Sequence, residues 1–304
     1  MKLSTAKKVF FALVIANILW GMGPPIFKWA LQDIHIGTLA FFRFAIPTIF
    51  IGIVFNRHIN IHPKDFGLLL LVGLCDVTAN IAFYFLGISY TSSINASIIV
   101  AASPIFLIFG SMLLLKERPT KKIFLGNLIG LTGVLLIIVQ PILQKTQQAS
   151  VLGNVFLLLS ALAAVIGTIY AKKVIKKYSA ISLTFWAFVV GTFSFFPFFL
   201  SDTIQYGFLP NFSYPALIGL LFGMVGASLI AYFLYYWSLK YILASQTGIF
   251  FYLDPIASIV IAAPLLSEYP NVMFVFGSFL VFAGIYVAEK RIHYPHLNLL
   301  FTRD

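Results

Sequence analysis

The sequence predicts an all-α integral membrane protein of ten transmembrane helices, arranged as two inverted five-helix repeats. Three observations carry that expectation. The chain of 304 residues is 61% hydrophobic and only 10% charged, with a mean hydropathy of +0.99, which leaves too little polar surface to enclose a water-soluble core. Its apolar stretches run about 18–24 residues, the length a helix needs to cross about 30 Å of hydrocarbon. Finally, one stretch is written twice: SPIFLIFGSMLLLKERP, from Ser103 to Pro119, returns as DPIASIVIAAPLLSEYP, from Asp254 to Pro270.

The apolar runs occupy roughly 8–30, 37–56, 66–87, 93–115, 123–143, 151–171, 180–200, 215–238, 244–266 and 271–288, and each ends at charges, prolines or glycine-rich links. A β-barrel would instead show segments of about ten residues with alternating polarity. The first run follows Lys7 and Lys8. It lacks a small-residue cleavage pattern and is followed by further spans, so it reads as an uncleaved helix. With the N-terminus in the cytoplasm, seventeen of the 20 Lys and Arg residues fall on the inner side, only Lys28 and Lys145 fall outside, and Arg43 lies within a span. That asymmetry predicts two cytoplasmic termini in the cell (inner) membrane. It also accounts for the net charge of +11, so no nucleic-acid partner is expected. The single cysteine, Cys75, excludes an intrachain disulfide.

The duplication keeps a register. Pro104 and Pro255, Glu117 and Glu268, and Pro119 and Pro270 are each 151 residues apart, as are Gly126 and Gly133 from Gly277 and Gly284. Earlier in each half the offset is 144, pairing Lys28 with Lys172 and Thr38-Leu39-Ala40-Phe41 with Ser182-Leu183-Thr184-Phe185. The offset changes across the link from Ser201 to Tyr214, which is longer than that from Asn56 to Asp65. The expected units are 1–147 and 148–290, with a cytoplasmic tail at 291–304. Five spans per unit, an odd number, invert the second unit relative to the first. Secondary transporters of this design hold their substrate near the bilayer midplane, between the halves.

Several motifs in this order resemble the EamA-type transporters of the drug/metabolite transporter superfamily, over essentially the whole chain. They are Trp20-Gly21 with Lys28, Phe42-Arg43-Phe44, Ser103-Pro104 and Asp254-Pro255, the two E-x-P closures, and the spaced glycines of the fifth and tenth runs. The resemblance implies ten helices, cytoplasmic termini, a central cavity and carriage of small metabolites such as amino acids, often outward. One departure stands out: Ala164 occupies the position that corresponds to Trp20.

No zinc-type cluster, phosphate-binding glycine loop or nucleophile elbow occurs, so neither a cofactor nor a catalytic residue is expected. Glu117 and Glu268 fall on opposite membrane faces, some 30 Å apart, which rules out a dyad. Each instead neutralises charge near a helix end, caps a neighbouring helix, or serves a gate. Arg43, Asp76 and Asp254 are ionisable groups within spans, where a charge costs about 2.5–3.5 kcal/mol and marks a functional candidate. By helical rise the two aspartates lie about 15 Å deep and Arg43 about 10 Å. Asp76, Asn80 and Tyr84 share one helical face, as do Asn95, Ile99 and Ser103 in the fourth run. Thr247, Phe251, Asp254 and Ser258 form such a face in the ninth, and Asn17, Gly21, Pro24 and Lys28 in the first. Such faces turn inward, away from lipid. Trp20, Trp186, Tyr232 and Tyr252 are candidate cavity walls, suited to an apolar side chain or, through cation–π attraction, an ammonium group. Pro24, Pro25, Pro104 and Pro255 interrupt helical hydrogen bonding and are candidate hinges.

These features predict alternating-access transport of a small amphipathic metabolite, an amino acid or related amine. Asp76 or Asp254 would meet the substrate ammonium or a coupling proton, and Arg43 a carboxylate or one of those aspartates. The expected partners are the small-molecule substrate, membrane lipids and protons. Three rivals fit less well. A nucleotide-sugar or lipid-type carrier needs more cationic groups at depth. A membrane-embedded interaction or sensor protein gains little from inverted halves with midplane acids. A membrane enzyme lacks a reactive constellation.

Overall fold

The computed structural model describes residues 5–107, 110, 121–144, 150–207, 213–242 and 244–289, and among them the chain forms ten helices and no strand. They are α1 (Thr5–Ala30), α2 (Ile36–Val54), α3 (residues 66–90), α4 (Ser93–Leu107) and α5 (Lys121–Gln144), followed by α6 (Val151–Val174), α7 (Ala180–Tyr206), α8 (Tyr214–Leu239), α9 (residues 244–266) and α10 (Val272–Glu289). Six of them, α1, α2, α3, α6, α7 and α8, are long and apolar enough to cross a membrane, while α4, α5, α9 and α10 carry shorter apolar segments. Large apolar side chains such as Phe193, Ile204 and Val272 stand on the outside, more than 70% exposed. A protein in water rarely presents so much apolar surface, whereas lipid favours it. The fold is that of an all-α, multi-pass membrane protein. Glu117, Pro119, Lys145 and the expected tail at 291–304 lie outside the described residues.

The two halves of the chain interleave. The most extensive helix packing joins α5 to α10, α2 to α7, α1 to α9 and α3 to α6, each a partnership between halves. Glycine makes the first of these possible. A Cβ on Gly133 would stand 2.5 Å from the Gly277 carbonyl oxygen, and one on Gly284 would stand 2.4 Å from the Gly130 nitrogen. The repeated glycines therefore let two backbones touch, the usual route to tight helix association in lipid.

Helix ends are closed by short polar side chains. Ser92, Ser179 and Ser213 accept from the backbone N–H three residues on, at the starts of α4, α7 and α8. Asp202 of α7 accepts from the backbone N–H of Thr38 at 2.8 Å, satisfying a donor in the first turn of α2. On the opposite edge Lys177 meets Asp65 at 2.7 Å, and the Tyr178 hydroxyl donates to the other carboxylate oxygen at 2.7 Å. That contact joins the α2–α3 and α6–α7 connections, and the hydrogen bond to Asp65 holds the Lys177 ammonium above the usual lysine range.

Among the described residues, four helices depart from regular α geometry, in two matched pairs. α3 contains a π-helical segment, Gly73–Ala79, and α8 contains another, Phe222–Ile230. α4 breaks at Ala102, two residues before Pro104, and α9 runs as a 3₁₀ segment, Gly248–Tyr252, until Leu253, two residues before Pro255. The broken helices meet: a Cβ on Gly248 would stand 2.8 Å from the Pro104 Cβ. By contrast α1 continues without interruption through Pro24 and Pro25. π segments and proline breaks both loosen the backbone ladder, and here they surround the centre of the bundle.

Candidate substrate cavity

A cavity of about 110 Å³ opens among α1, α2, α3, α4, α6, α8 and α9. Among the described residues, α5, α7 and α10 contribute nothing to its lining. Trp20 and Pro24 enter from α1, Arg43 from α2, and Asp76, Asn80 and Tyr84 from α3. Ser103 enters from α4, Tyr232 from α8 and Asp254 from α9.

Arg43 is 2% exposed. Its Nε donates to Ser228 Oγ at 3.2 Å, and its Nη1 has no hydrogen-bond partner among the described residues. No carboxylate pairs with it among the described residues. Aromatic faces take that place: the guanidinium carbon lies 4.7 Å from the Phe27 ring centre, 5.4 Å from Phe44 and 5.7 Å from Phe85. Ring quadrupoles attract a desolvated cation, so this cage compensates part of the buried charge and leaves one N–H edge uncommitted.

Asp76 sits within the π segment of α3 and is held from several sides. The Tyr236 hydroxyl donates to Oδ2. The backbone carbonyl of Asp76 accepts from the Tyr232 hydroxyl at 3.1 Å and from Asn80 Nδ2 at 3.0 Å. Asn80 in turn accepts from Ser160 Oγ at 2.7 Å. α6 approaches so closely that a Cβ on Gly167 would stand 2.3 Å from the Asp76 Cβ.

Asp254 is the opposite case. It is 3% exposed, lies just past the 3₁₀ segment of α9, and its Oδ1 has no partner among the described residues. α1 packs against it through Gly21, where a Cβ would stand 2.5 Å from the Asp254 Cα. Of the two partners expected for Arg43, a carboxylate or one of the aspartates, neither aspartate forms an ion pair with it among the described residues: Tyr236 holds Asp76, while Arg43 and Asp254, both lining one cavity, each keep a buried polar atom unpaired.

Aromatic groups close one side. The Trp20 indole N–H donates to the Ala227 carbonyl at 3.0 Å, and its ring meets Tyr232 edge-on at 5.3 Å and Tyr235 at 5.1 Å. Three expected contacts lie elsewhere. Trp186 stands near the start of α7, where its indole N–H donates to the Ile59 carbonyl at 2.7 Å and its ring packs on Phe66 and Phe185. That bond ties the start of α7 to the α2–α3 connection. Asn95 is buried in α4 and not in the lining. Tyr252 turns its ring to Phe282 on α10.

The lining also holds residues the sequence did not single out as contacts. Phe27 joins through the Arg43 cage, and Ser160, Ala164 and Thr168 form a stripe of small side chains along α6. Their spacing of four was a readable signal, but no charge drew attention to it.

The family profile described as the EamA-like transporter family matches residues 7–139 and, a second time, residues 151–289. The chain belongs to the EamA-like transporter family. Among its relatives is a protein of Archaeoglobus fulgidus named "Uncharacterized transporter", 28% identical over 289 residues, covering 93% of this chain and 99% of that protein. Another is the Bacillus subtilis "Uncharacterized transporter YcxC", 28% identical over 271 residues and 85% of each chain. A solved crystal structure superposes with a TM-score of 0.64 at 15% identity, covering 96% of this chain and 99% of its own, and supports the fold. Family and relatives alike point to a membrane transporter rather than an enzyme. The cavity just described lies between the two EamA-like segments and draws its lining from both.

Proposed function

We propose that this EamA-like transporter carries a zwitterionic metabolite, an amino acid or a related amine, by alternating access between two inverted five-helix halves. One observation carries the reading. The same cavity is lined by a buried guanidinium with an uncommitted Nη1 and a buried carboxylic acid group with an uncommitted Oδ1. A buried charge without a partner is costly, and the cost is met when a partner arrives. A substrate bearing a carboxylate and an ammonium supplies both partners at once, the carboxylate to Arg43 and the ammonium to Asp254.

Asp76 takes a different part. Tyr236 and the π segment hold it in place, so it serves as the site for a coupling proton rather than as a direct ligand. The inner side of the cell membrane carries both termini in this reading, and movement of substrate is outward. The paired breaks at Pro104 and Pro255 act as hinges of the two halves, since both lie where α4 and α9 border the cavity.

Purified protein in proteoliposomes tests this with labelled amino acids, a dicarboxylate and a diamine, with and without an imposed pH gradient. Saturable flux of amino acids, faster with the gradient and absent for the other two classes, is the expected result. Flux of the dicarboxylate or diamine at the same rate would overturn the zwitterion reading, and gradient-independent flux would remove the proton.

A further inference from the structure

The cavity is lopsided, and its lopsidedness follows the repeat. Offsets of 144 for the first span of each half and 151 for the third pair Trp20 with Ala164, Asp76 with Ala227, Ile81 with Tyr232, and Tyr84 with Tyr235. On one side, the Trp20 indole fills the space beside the π segment of α8, bonded to the Ala227 carbonyl and packed edge-on against Tyr232. On the other side, the corresponding positions hold the methyl of Ala164, the aliphatic Ile81 and, in the place of Tyr235, Tyr84, and all three line the cavity. The carbonyl that corresponds to that of Ala227 belongs to Asp76, and Tyr232 and Asn80 already donate to it. No indole is needed there to satisfy the backbone. Ala164 is partly exposed although it lies on the inner face of α6, and the stripe around it is equally small, with Ser160, Ala161 and Thr168.

We infer that the space beside Ala164 and Ile81 is the compartment for the substrate's side chain, and that residue 164 sets the size it accepts. The inference rests on the reading of this cavity as the zwitterion site, with Arg43 and Asp254 holding the charged end. The compartment takes the volume of an aromatic ring, because its counterpart in the first half holds one. Its walls suit a ring or branched aliphatic chain, and the Ser160–Asn80 hydrogen bond at its edge offers a hydroxyl oxygen to a polar tip.

Two measurements test it together. The first compares flux of labelled glycine, leucine and tryptophan in proteoliposomes of the wild type, Ala164→Leu, Ala164→Trp and Ala164→Gly. The ratio of tryptophan to glycine flux is expected to fall at least about tenfold in Ala164→Trp, to fall less in Ala164→Leu, and to rise in Ala164→Gly. A loss of the same proportion for every substrate in both enlarged variants overturns the compartment and leaves the zwitterion reading standing. The second needs no cargo: Ala164→Cys is made in a Cys75→Ala background, so that the new thiol is the only one, and is treated with methyl and benzyl methanethiosulfonates. Modification by both is expected, and failure of the benzyl reagent to reach a thiol that the methyl reagent modifies, or failure of both, overturns a ring-sized space. If the wild type moves no amino acid while the thiol introduced by Ala164→Cys takes up the benzyl group, the zwitterion reading falls and the compartment stands.

Discussion

Glu268, just beyond the end of α9, accepts at Oε2 from both the backbone N–H of Ser93 at 2.8 Å and the Ser93 hydroxyl at 2.6 Å. Its Oε1 meets Lys28 Nζ at 2.7 Å, and Lys28 also donates to the Thr91 carbonyl at 2.7 Å. One carboxylate thus closes the start of α4 and fastens it to α1, at the helix end where backbone donors are open and the dipole favours a negative charge. The chain delivers Glu268 there by ending α9 in a left-handed residue, Ser267, at φ 53°.

Glu268→Ala is expected to lower stability in detergent by about 1–3 kcal/mol, the cost of leaving buried or charged donors without acceptors. Glu268→Gln retains an acceptor for Ser93 but not the charge for Lys28, and its loss should be smaller. Thermal unfolding of the purified variants measures both. Equal unfolding temperatures for the three proteins would show that the contact is not holding α4 to α1.

The two buried acids should respond differently to the same substitution. Asp254 has an oxygen with no partner to lose among the described residues, so Asp254→Asn is expected to leave the unfolding temperature unchanged or raise it. Its amino-acid flux should fall at least about tenfold, since the ammonium loses a charged partner. Asp76→Asn weakens the bond from Tyr236 and is expected to remove the acceleration by a pH gradient. Proteoliposome flux read alongside melting curves separates the two roles.

Arg43→Lys keeps the positive charge but replaces the planar fork. An ammonium cannot lie flat among Phe27, Phe44 and Phe85 and also present an N–H edge to a carboxylate. Flux is expected to drop about tenfold or more, with a rise in the substrate concentration needed for half-saturation. Titration of flux against substrate concentration reads this directly.

Gly167 and Gly21 are close contacts of the two acids. A methyl group at either would overlap Cβ or backbone atoms of Asp76 or Asp254 at 2.3–2.7 Å, and such atoms yield less readily than the far end of a flexible side chain. Gly167→Ala and Gly21→Ala are each expected to cost about 1–3 kcal/mol through overpacking. Gly67→Ala is the control, because a Cβ there meets nothing within 4 Å.

The sequence by itself determined the membrane-spanning all-α class, the ten helices and the repeat register that pairs Pro104 with Pro255. Hydrophobic run length and the spacing of rare residues report these directly. It also marked Arg43, Asp76 and Asp254, since a charge inside an apolar run is conspicuous in one dimension. Only the tertiary structure decided what each of them touches. The rings that cage Arg43 come from α1, α2 and α3, and the hydroxyl that holds Asp76 comes from α8. The π segments of α3 and α8 were equally hidden, because side-chain periodicity does not disclose a backbone bond that skips one more residue. Trp186 looked like Trp20 in sequence, yet one reaches the cavity and the other a loop carbonyl. An indole N–H bonds to whichever acceptor packing brings near, and that proximity is a property of helices meeting across the whole chain.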